Sequence, residues 1–283
     1  MGPACTDTVE PLAGVAREFS LTVISYGAEG AIFSTEDDAV KYPYFFRTIP
    51  ENKYYVEVYY RLFEEIDWKR IASLFEDGQR YSEYVTHLEQ FLRSQDGYSV
   101  NTLRYTRDET NKFKAETLLN ALKNETWRII IGDFYQNVAR IFICKAYHMK
   151  MTGFQDYVWF LPHWYSKDWY DVNKPNTQNE MLNCTTEQMR QALQGHMSLS
   201  YKYFGENNQT MEEGITVEEW RRKYERELAK EDYEKYKSGN QIPKSDYAGF
   251  AYDAVWTYAL ALDKLFKESR SATANLRSKT AVR

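Results

Sequence analysis

Ile129-Ile130-Ile131-Gly132-Asp133-Phe134-Tyr135 decides how this chain is read: an apolar run of strand character opens into an aromatic turn. An amphipathic segment, Gln136 to Met149, follows with helical spacing, and then a second apolar run, Tyr157 to Leu161, leads into Pro162-His163-Trp164-Tyr165. A strand buried on both faces reads as a continuous apolar run, and such strands are joined by crossover helices in parallel sheets. Each of the two runs ends close to an aromatic side chain, Tyr135 and Trp164. Ligands of open α/β sheets collect beyond the carboxyl ends of the strands, which makes this pair a candidate recognition surface. The competing reading is that both rings pack in the core, as most aromatic residues do.

Outward from this unit the same alternation repeats at roughly 20 to 30 residues, the spacing of βαβ units in a mostly parallel sheet. Helix Thr8–Phe19 leads to strand Leu21–Ser25. A helix at Lys53–Ile66, with Tyr55, Val58, Tyr59, Leu62, Phe63 and Ile66 at helical spacing, precedes strand Ile71–Phe75. Helix Ser82–Gln95, strand Ser99–Tyr105, helix Asn111–Leu122 and strand Arg128–Gly132 complete a doubly wound lobe. Thr185 with Gln188 and Thr216 with Glu219 have the spacing of capping boxes, the first opening a helix toward Leu193 and the second a charged helix through Lys230. A further strand is expected at His196–Tyr203. Ser238-Gly239-Asn240 and Pro243 supply turn chemistry before an apolar helix at Tyr247–Phe266, and the polar, aperiodic residues 271–283 are expected to be a disordered tail.

The chain has 283 residues, more than one compact core usually holds, which favours two packed lobes. Its formal net charge is −5, with basic residues interleaved among acidic ones, as in Asp67-Trp68-Lys69-Arg70. That pattern offers no phosphate-tracking stripe and excludes nucleic acid as an expected partner. No run approaches the roughly 18 apolar residues of a membrane span. Met1-Gly2-Pro3-Ala4 lacks the charged and apolar regions of a secretory signal.

Cysteines and sequons point outside the cell instead. Cys5, Cys144 and Cys184 make an odd count. A bridge between Cys144 and Cys184 would constrain the unfolded chain by roughly 4 kcal/mol on the chain-entropy account. Cys5 is then left over, either for a bridge to a segment upstream or as a buried thiol. N-x-Ser/Thr sequons at Asn124, Asn183 and Asn208 fit the same extracellular setting.

Enzyme signatures are missing from the sequence. It contains no G-x-G-x-x-G, no G-x-x-x-x-G-K-Ser/Thr and no G-x-S-x-G. Gly27 and Gly30 are read as turn residues. His87, His148, His163 and His196 are never four apart and no Cys-x-x-Cys occurs, so neither a metal nor a cofactor is expected. A dinucleotide-dependent α/β enzyme is the discounted alternative.

Several segments together resemble the ectodomain of the metabotropic GABA-B receptor family, a bilobed Venus flytrap of the periplasmic-binding-protein type I kind. They are Ser25-Tyr26-Gly27, Tyr42 to Thr48, Trp68 to Ile71, Phe134 to Arg140, Tyr157 to Trp164 and Ala251 to Trp256. These ordered matches run from about Met1 to Phe266. The resemblance implies two doubly wound parallel sheets joined by a hinge, with residues 1–50 a partial lobe 1, 51–242 lobe 2 and 243–270 a helix returning to lobe 1. It supports the Cys144–Cys184 bridge, and it implies that the first strand-helix units of lobe 1 and a membrane domain belong to a longer protein.

In the GABA-binding subunit of that family, lobe 2 gives an aromatic pair at the positions matched here by Tyr135 and Trp164. Lobe 1 departs from the pattern. The two serines that hold the ligand carboxylate match Thr6 and Glu29, a histidine matches Ile49, and the glutamate that pairs with the ligand ammonium matches Tyr247. Two carboxylates at 4 Å repel by about 4 kcal/mol at an effective dielectric near 20, which outweighs a hydroxyl hydrogen bond of roughly 1 kcal/mol. The expectation is therefore a non-enzymatic receptor ectodomain. It would bind a small amino acid or amine between its lobes, sit on the extracellular face of the plasma membrane, pair with a second receptor subunit and act on a G protein only through the membrane domain. The alternative is a heterodimerisation module of the partner-subunit kind that binds no ligand. Such a fragment is expected to be poorly soluble alone.

Overall fold

The computed structural model describes residues 1–34, 40–78, 82–106, 114–174, 182–235 and 244–268. The described residues form two compact units: Met1–Glu29, Glu36–Pro50 and Tyr201–Arg283 contribute to unit 1, and Gly30–Thr35 with Glu51–Ser200 to unit 2. Each contains its own parallel sheet, the α/β architecture expected from the alternating pattern.

Unit 2 is built from α2 (Tyr54–Glu65), β3 (Arg70–Glu76), α3 (Glu83–Arg93), β4 (Ser99–Tyr105), α4 (Ala115–Asn124), β5 (Ile129–Asp133), α5 (Gln136–His148), β6 (Val158–Phe160) and α6 (Thr186–Ala192). Its four strands are all parallel in the order β4-β3-β5-β6. Every residue of β5 is buried, as a strand covered on both faces must be. Successive side chains point to opposite faces. Thus Ala72, Leu74, Ile130 and Trp159 join the core under α4 and α5, with Leu119, Leu122, Phe142 and Ile143. On the other face Phe160 meets Tyr59 and Phe63 of α2 edge-on, at ring distances of 5.3 and 5.8 Å. Burying each such large side chain contributes about 1.5–3 kcal/mol.

A Cys144–Cys184 disulfide ties α5 to the start of α6. The Thr185 capping box is present in full: Gln188 N donates to Thr185 Oγ1 at 3.2 Å, and Thr185 N to Gln188 Oε1 at 2.9 Å. The strand expected at His196–Tyr203 does not form. Only Met197 joins the sheet, donating to Trp159 O at 2.8 Å while its carbonyl accepts from Leu161 N at 2.9 Å. Its alternation of Met197, Leu199 and Tyr201 with polar residues suits an edge, but the segment leaves unit 2 after Ser200 before a ladder can build.

Unit 1 contains α1 (Thr6–Phe19), β1 (Val23–Ser25), β2 (Phe45–Arg47), α7 (Val217–Lys235) and α8 (Ala248–Glu268). Thr6, Val9, Ala13 and Ala16 form the buried face of α1, a spacing that places them on one side of a helix. β1 and β2 pair in parallel, Val23 opposite Phe45 and Ser25 opposite Arg47. Thr48 Oγ1 donates to Phe250 O at 2.7 Å and fastens the end of β2 to α8. Gly27 is required by close approach, since a Cβ there would lie 2.8 Å from Ala4 Cβ.

The sequence reading carried the second lobe to residue 242, whereas the compact unit that begins at Glu51 runs to Ser200. Aromatic packing explains the difference: Tyr203 lies 5.9 Å from Phe250, and Trp220 of α7 lies 5.1 Å from Tyr252 of α8. These contacts hold the segment after Tyr201 to the terminal helix. The turn residues Ser238, Gly239, Asn240 and Pro243 and the tail 271–283 lie outside the described residues.

Candidate ligand-recognition site

The strand order of unit 2 reverses between β3 and β5, because the chain runs outward to β4 and then returns across β3. The carboxyl ends of the strands at such a reversal leave a crevice where ligands bind in open α/β sheets. Tyr135 follows β5 directly and caps α5, its carbonyl accepting from Val138 N and Ala139 N at 2.9 Å each. Trp164 lies in the loop after β6. The two rings meet edge to face at 5.5 Å and 65°, and both are half-buried. A pair so placed presents ring surface and a hydroxyl without being consumed by the core.

The loop carrying Trp164 is fixed from several directions. Tyr165 donates its hydroxyl to Phe134 O, Gln136 Oε1 accepts from Ser166 N at 3.2 Å, and buried Arg140 donates to Trp169 O at 2.9 Å. Trp164 also packs edge-on against Tyr165 at 5.0 Å. Burial, and then the Asp133 charge, raise the Tyr165 pKa, so its phenol remains a donor.

Beside this pair lies a polar cluster that sequence reading passed over. Asp133, the last residue of β5, is buried and accepts from Ser82 Oγ at 2.6 Å and Tyr84 Oη at 3.1 Å. Burial pushes its carboxyl up to about 6, against the two hydrogen bonds that favour the ionised form. Tyr55 Oη lies 3.4 Å from His163 Nδ1 and its ring packs on Tyr84 at 5.5 Å. The space among these residues is about 10 Å³, room for about one water molecule and not for an organic ligand. A carboxylate closing an otherwise apolar run was the visible signal. Its partners are distant in sequence and were not.

In unit 1 the structure brings together Glu29 and Tyr247. Glu29 is buried and its Oε1 accepts from Tyr247 Oη at 3.1 Å. Burial first, then the Glu29 charge, raise the Tyr247 pKa, so the phenol stays protonated and donates. Tyr203 packs against Tyr247 at 5.6 Å. Thr6 is buried at the first turn of α1, and Ile49 is buried after β2. The sequon residues Asn124, Asn183 and Asn208 are all exposed. His148 Nε2 lies 2.6 Å from Asn183 O and 3.3 Å from Cys184 Sγ; with both sulfurs in the disulfide, these are not metal-ligating thiolates.

Residues 1–282 match the family described as receptor family ligand binding region. The chain is similar to gamma-aminobutyric acid type B receptor subunit 1 of Mus musculus, 30% identical over 262 residues, covering 93% of this chain and 25% of the relative. Subunit 2 of Homo sapiens is 27% identical over 276 residues, covering 98% of the chain and 27% of the relative. Subunit 1 of Caenorhabditis elegans is 29% identical over 259 residues, covering 92% and 26%. The chain thus spans about a quarter of the length of these curated relatives.

Proposed function

We propose, from the premise that this chain belongs to the family of receptor ligand-binding regions, that it recognises a small amine or amino acid through Tyr135 and Trp164. The observation that carries this reading is the half-buried ring pair beyond the carboxyl ends of β5 and β6, held at 5.5 Å by an anchored loop. A tyrosine hydroxyl beside an indole face suits a short alkyl chain bearing an ammonium group. Recognition of this kind needs no covalent step.

The family resemblance assigns selectivity to the positions of Glu29 and Tyr247. Where the family resemblance implies a hydroxyl for the ligand carboxylate, Glu29 carries a carboxylate that already accepts from Tyr247. A second carboxylate brought to it would be repelled, whereas an ammonium would be attracted. The proposed ligand is therefore an amine whose carboxylate, if present, is held away from Glu29, and GABA in the family's usual pose is disfavoured. In the longer extracellular receptor this reading implies, capture would shift the protein toward a closed state only by the ligand's differential affinity for it.

A second reading is favoured by a separate observation. Leu12, Val15 and Phe19 recur at helical spacing on α1 and are 41%, 53% and 71% exposed. An apolar stripe of this kind suits a second receptor subunit. The two readings separate in one titration of the full chain with small amines and amino acids, followed by heat and tryptophan fluorescence. Saturable binding to an amine, weakened about tenfold or more by Trp164→Ala, supports recognition. Silence toward every amine, with retained association to a partner ectodomain, overturns it.

A further inference from the structure

We propose that unit 1 holds a separate site for an alkylammonium group, in the aromatic pocket between α7 and α8. The cavity has a volume of about 290 Å³ and is lined by Phe204, Trp220, Tyr252 and Trp256. Trp220 lies 5.1 Å from Tyr252 and 6.0 Å from Phe204, and Tyr252 lies 6.1 Å from Trp256, with interplanar angles of 65°, 44° and 57°. Trp220 and Tyr252 meet edge to face and the other two pairs are tilted, and the cavity lies against them. The stacked partner is on the other side: Tyr224 lies on Trp220 at 5.6 Å and 8°, which fixes the indole.

Charge selects the occupant. The pocket walls include the carboxylates of Glu212 and Asp253 and no lysine, arginine or histidine. The Tyr252 hydroxyl is closed off from solvent, with the Glu213 carboxylate near it; Lys223 Nζ lies 3.7 Å from Glu213 Oε2, so the charge that selects the occupant is that of Glu212 and Asp253. Aromatic faces attract cations through their quadrupoles, and quaternary ammonium groups are held in such cages. The Arg221 guanidinium lies 5.2 Å from the centre of the Phe204 ring, so the faces left for a second cation are those of Trp220, Tyr252 and Trp256. The backbone shapes the floor: a Cβ at Gly249 would lie 2.9 Å from Tyr203 O and 3.3 Å from the Phe204 ring. The volume suits a trimethylammonium head with a short tail better than a flat aromatic ligand. The site shares no residue with the Tyr135–Trp164 surface, so Trp256→Leu and Trp164→Ala tell the two apart: a choline response lost in Trp164→Ala and kept in Trp256→Leu would overturn this site.

Choline titrated against the full chain tests this, with tryptophan fluorescence as the readout and 3,3-dimethylbutan-1-ol as the uncharged analogue of the same shape. The expected result is a saturable choline response, with the neutral analogue about tenfold weaker or worse. Asp253→Asn, an exposed substitution, should weaken choline binding several-fold while leaving the neutral analogue unchanged. Trp256→Leu should weaken it about tenfold. Phosphatidylcholine vesicles form a second arm: co-sedimentation would mark the head group as lipid-borne, and choline binding without it a free small molecule. Equal binding of choline and the neutral analogue, or no choline response in the folded chain, overturns the proposal.

Discussion

Asp133 shows what one misplaced charge costs this fold. Its carboxyl is buried at the end of β5, and burial pushes its pKa up to about 6 from an ordinary 3.8. The folded state therefore binds its proton more tightly than the unfolded chain does. Between those two values the folded state carries more protons, so stability falls as pH rises. The penalty is complete above about pH 6 and amounts to roughly 3 kcal/mol. Surface acids such as Glu64 and Asp171 shift the other way, through hydrogen bonds that favour their ionised forms, but solvent screens them. Urea unfolding at about pH 4.5 and 7.5 should therefore show a component of stability lost at the higher pH, and Asp133→Asn should flatten it. A variant with the wild-type pH dependence would refute this assignment. At this scale the sequence was half legible. Asp133 could be seen to end an apolar run, whereas Ser82 and Tyr84 become its partners only because β3 and β5 are neighbours. Likewise Glu29 and Tyr247 come from distant parts of the chain, and the hydrogen bond between them could not be read from their positions in sequence.

The elements were legible wherever local chemistry fixes them. Helical periodicity located α2 and α5, and the Thr185 and Thr216 boxes located the starts of α6 and α7. His196–Tyr203 was misread because alternation shows that a segment could be a strand, while pairing depends on a neighbour distant in sequence. The tie between α5 and α6 shows how an element junction carries stability. Cys144 is buried in the core that Met189 and Ala192 of α6 share. Its disulfide spans a sequence separation of 40, so replacing both cysteines by alanine should cost about 3–4 kcal/mol. Denaturant midpoints of the oxidised protein and the double variant would show this, and a loss under about 1 kcal/mol would mean that α6 is held by packing alone. Thr185→Ala should cost about 1 kcal/mol by removing the capping box at the same junction. Its effect need not add to that of the disulfide, since both hold the start of one helix.

Across the whole molecule the two units differ in how their sheets are secured. β5 pairs on both sides, with β3 and β6, and lies between helices packed on both faces. β1 pairs with β2 alone among the described residues, and a two-stranded sheet is marginal without other support. Unit 1 compensates with aromatic packing on α8, but α1 leaves Leu12, Val15 and Phe19 to solvent. That division was only partly visible in sequence: the alternating pattern announced parallel sheets, while the change of unit at Ser200 depends on side-chain contacts of Tyr203 and Trp220 that no local signal reports. Hydrogen exchange on the full chain measures the consequence, because amides open with the stability of their own cooperative unit. The amides of Ile130 and Ile131 should exchange roughly 100-fold or more slowly than those of Val23 and Ile24. Serine at Val15 and Phe19 should reduce concentration-dependent association without changing protection in β5, because those side chains face solvent rather than the core of unit 2. Equal protection in β1 and β5 would instead mean that the two units unfold as one, and that the small sheet draws its stability from more than the packing seen within unit 1.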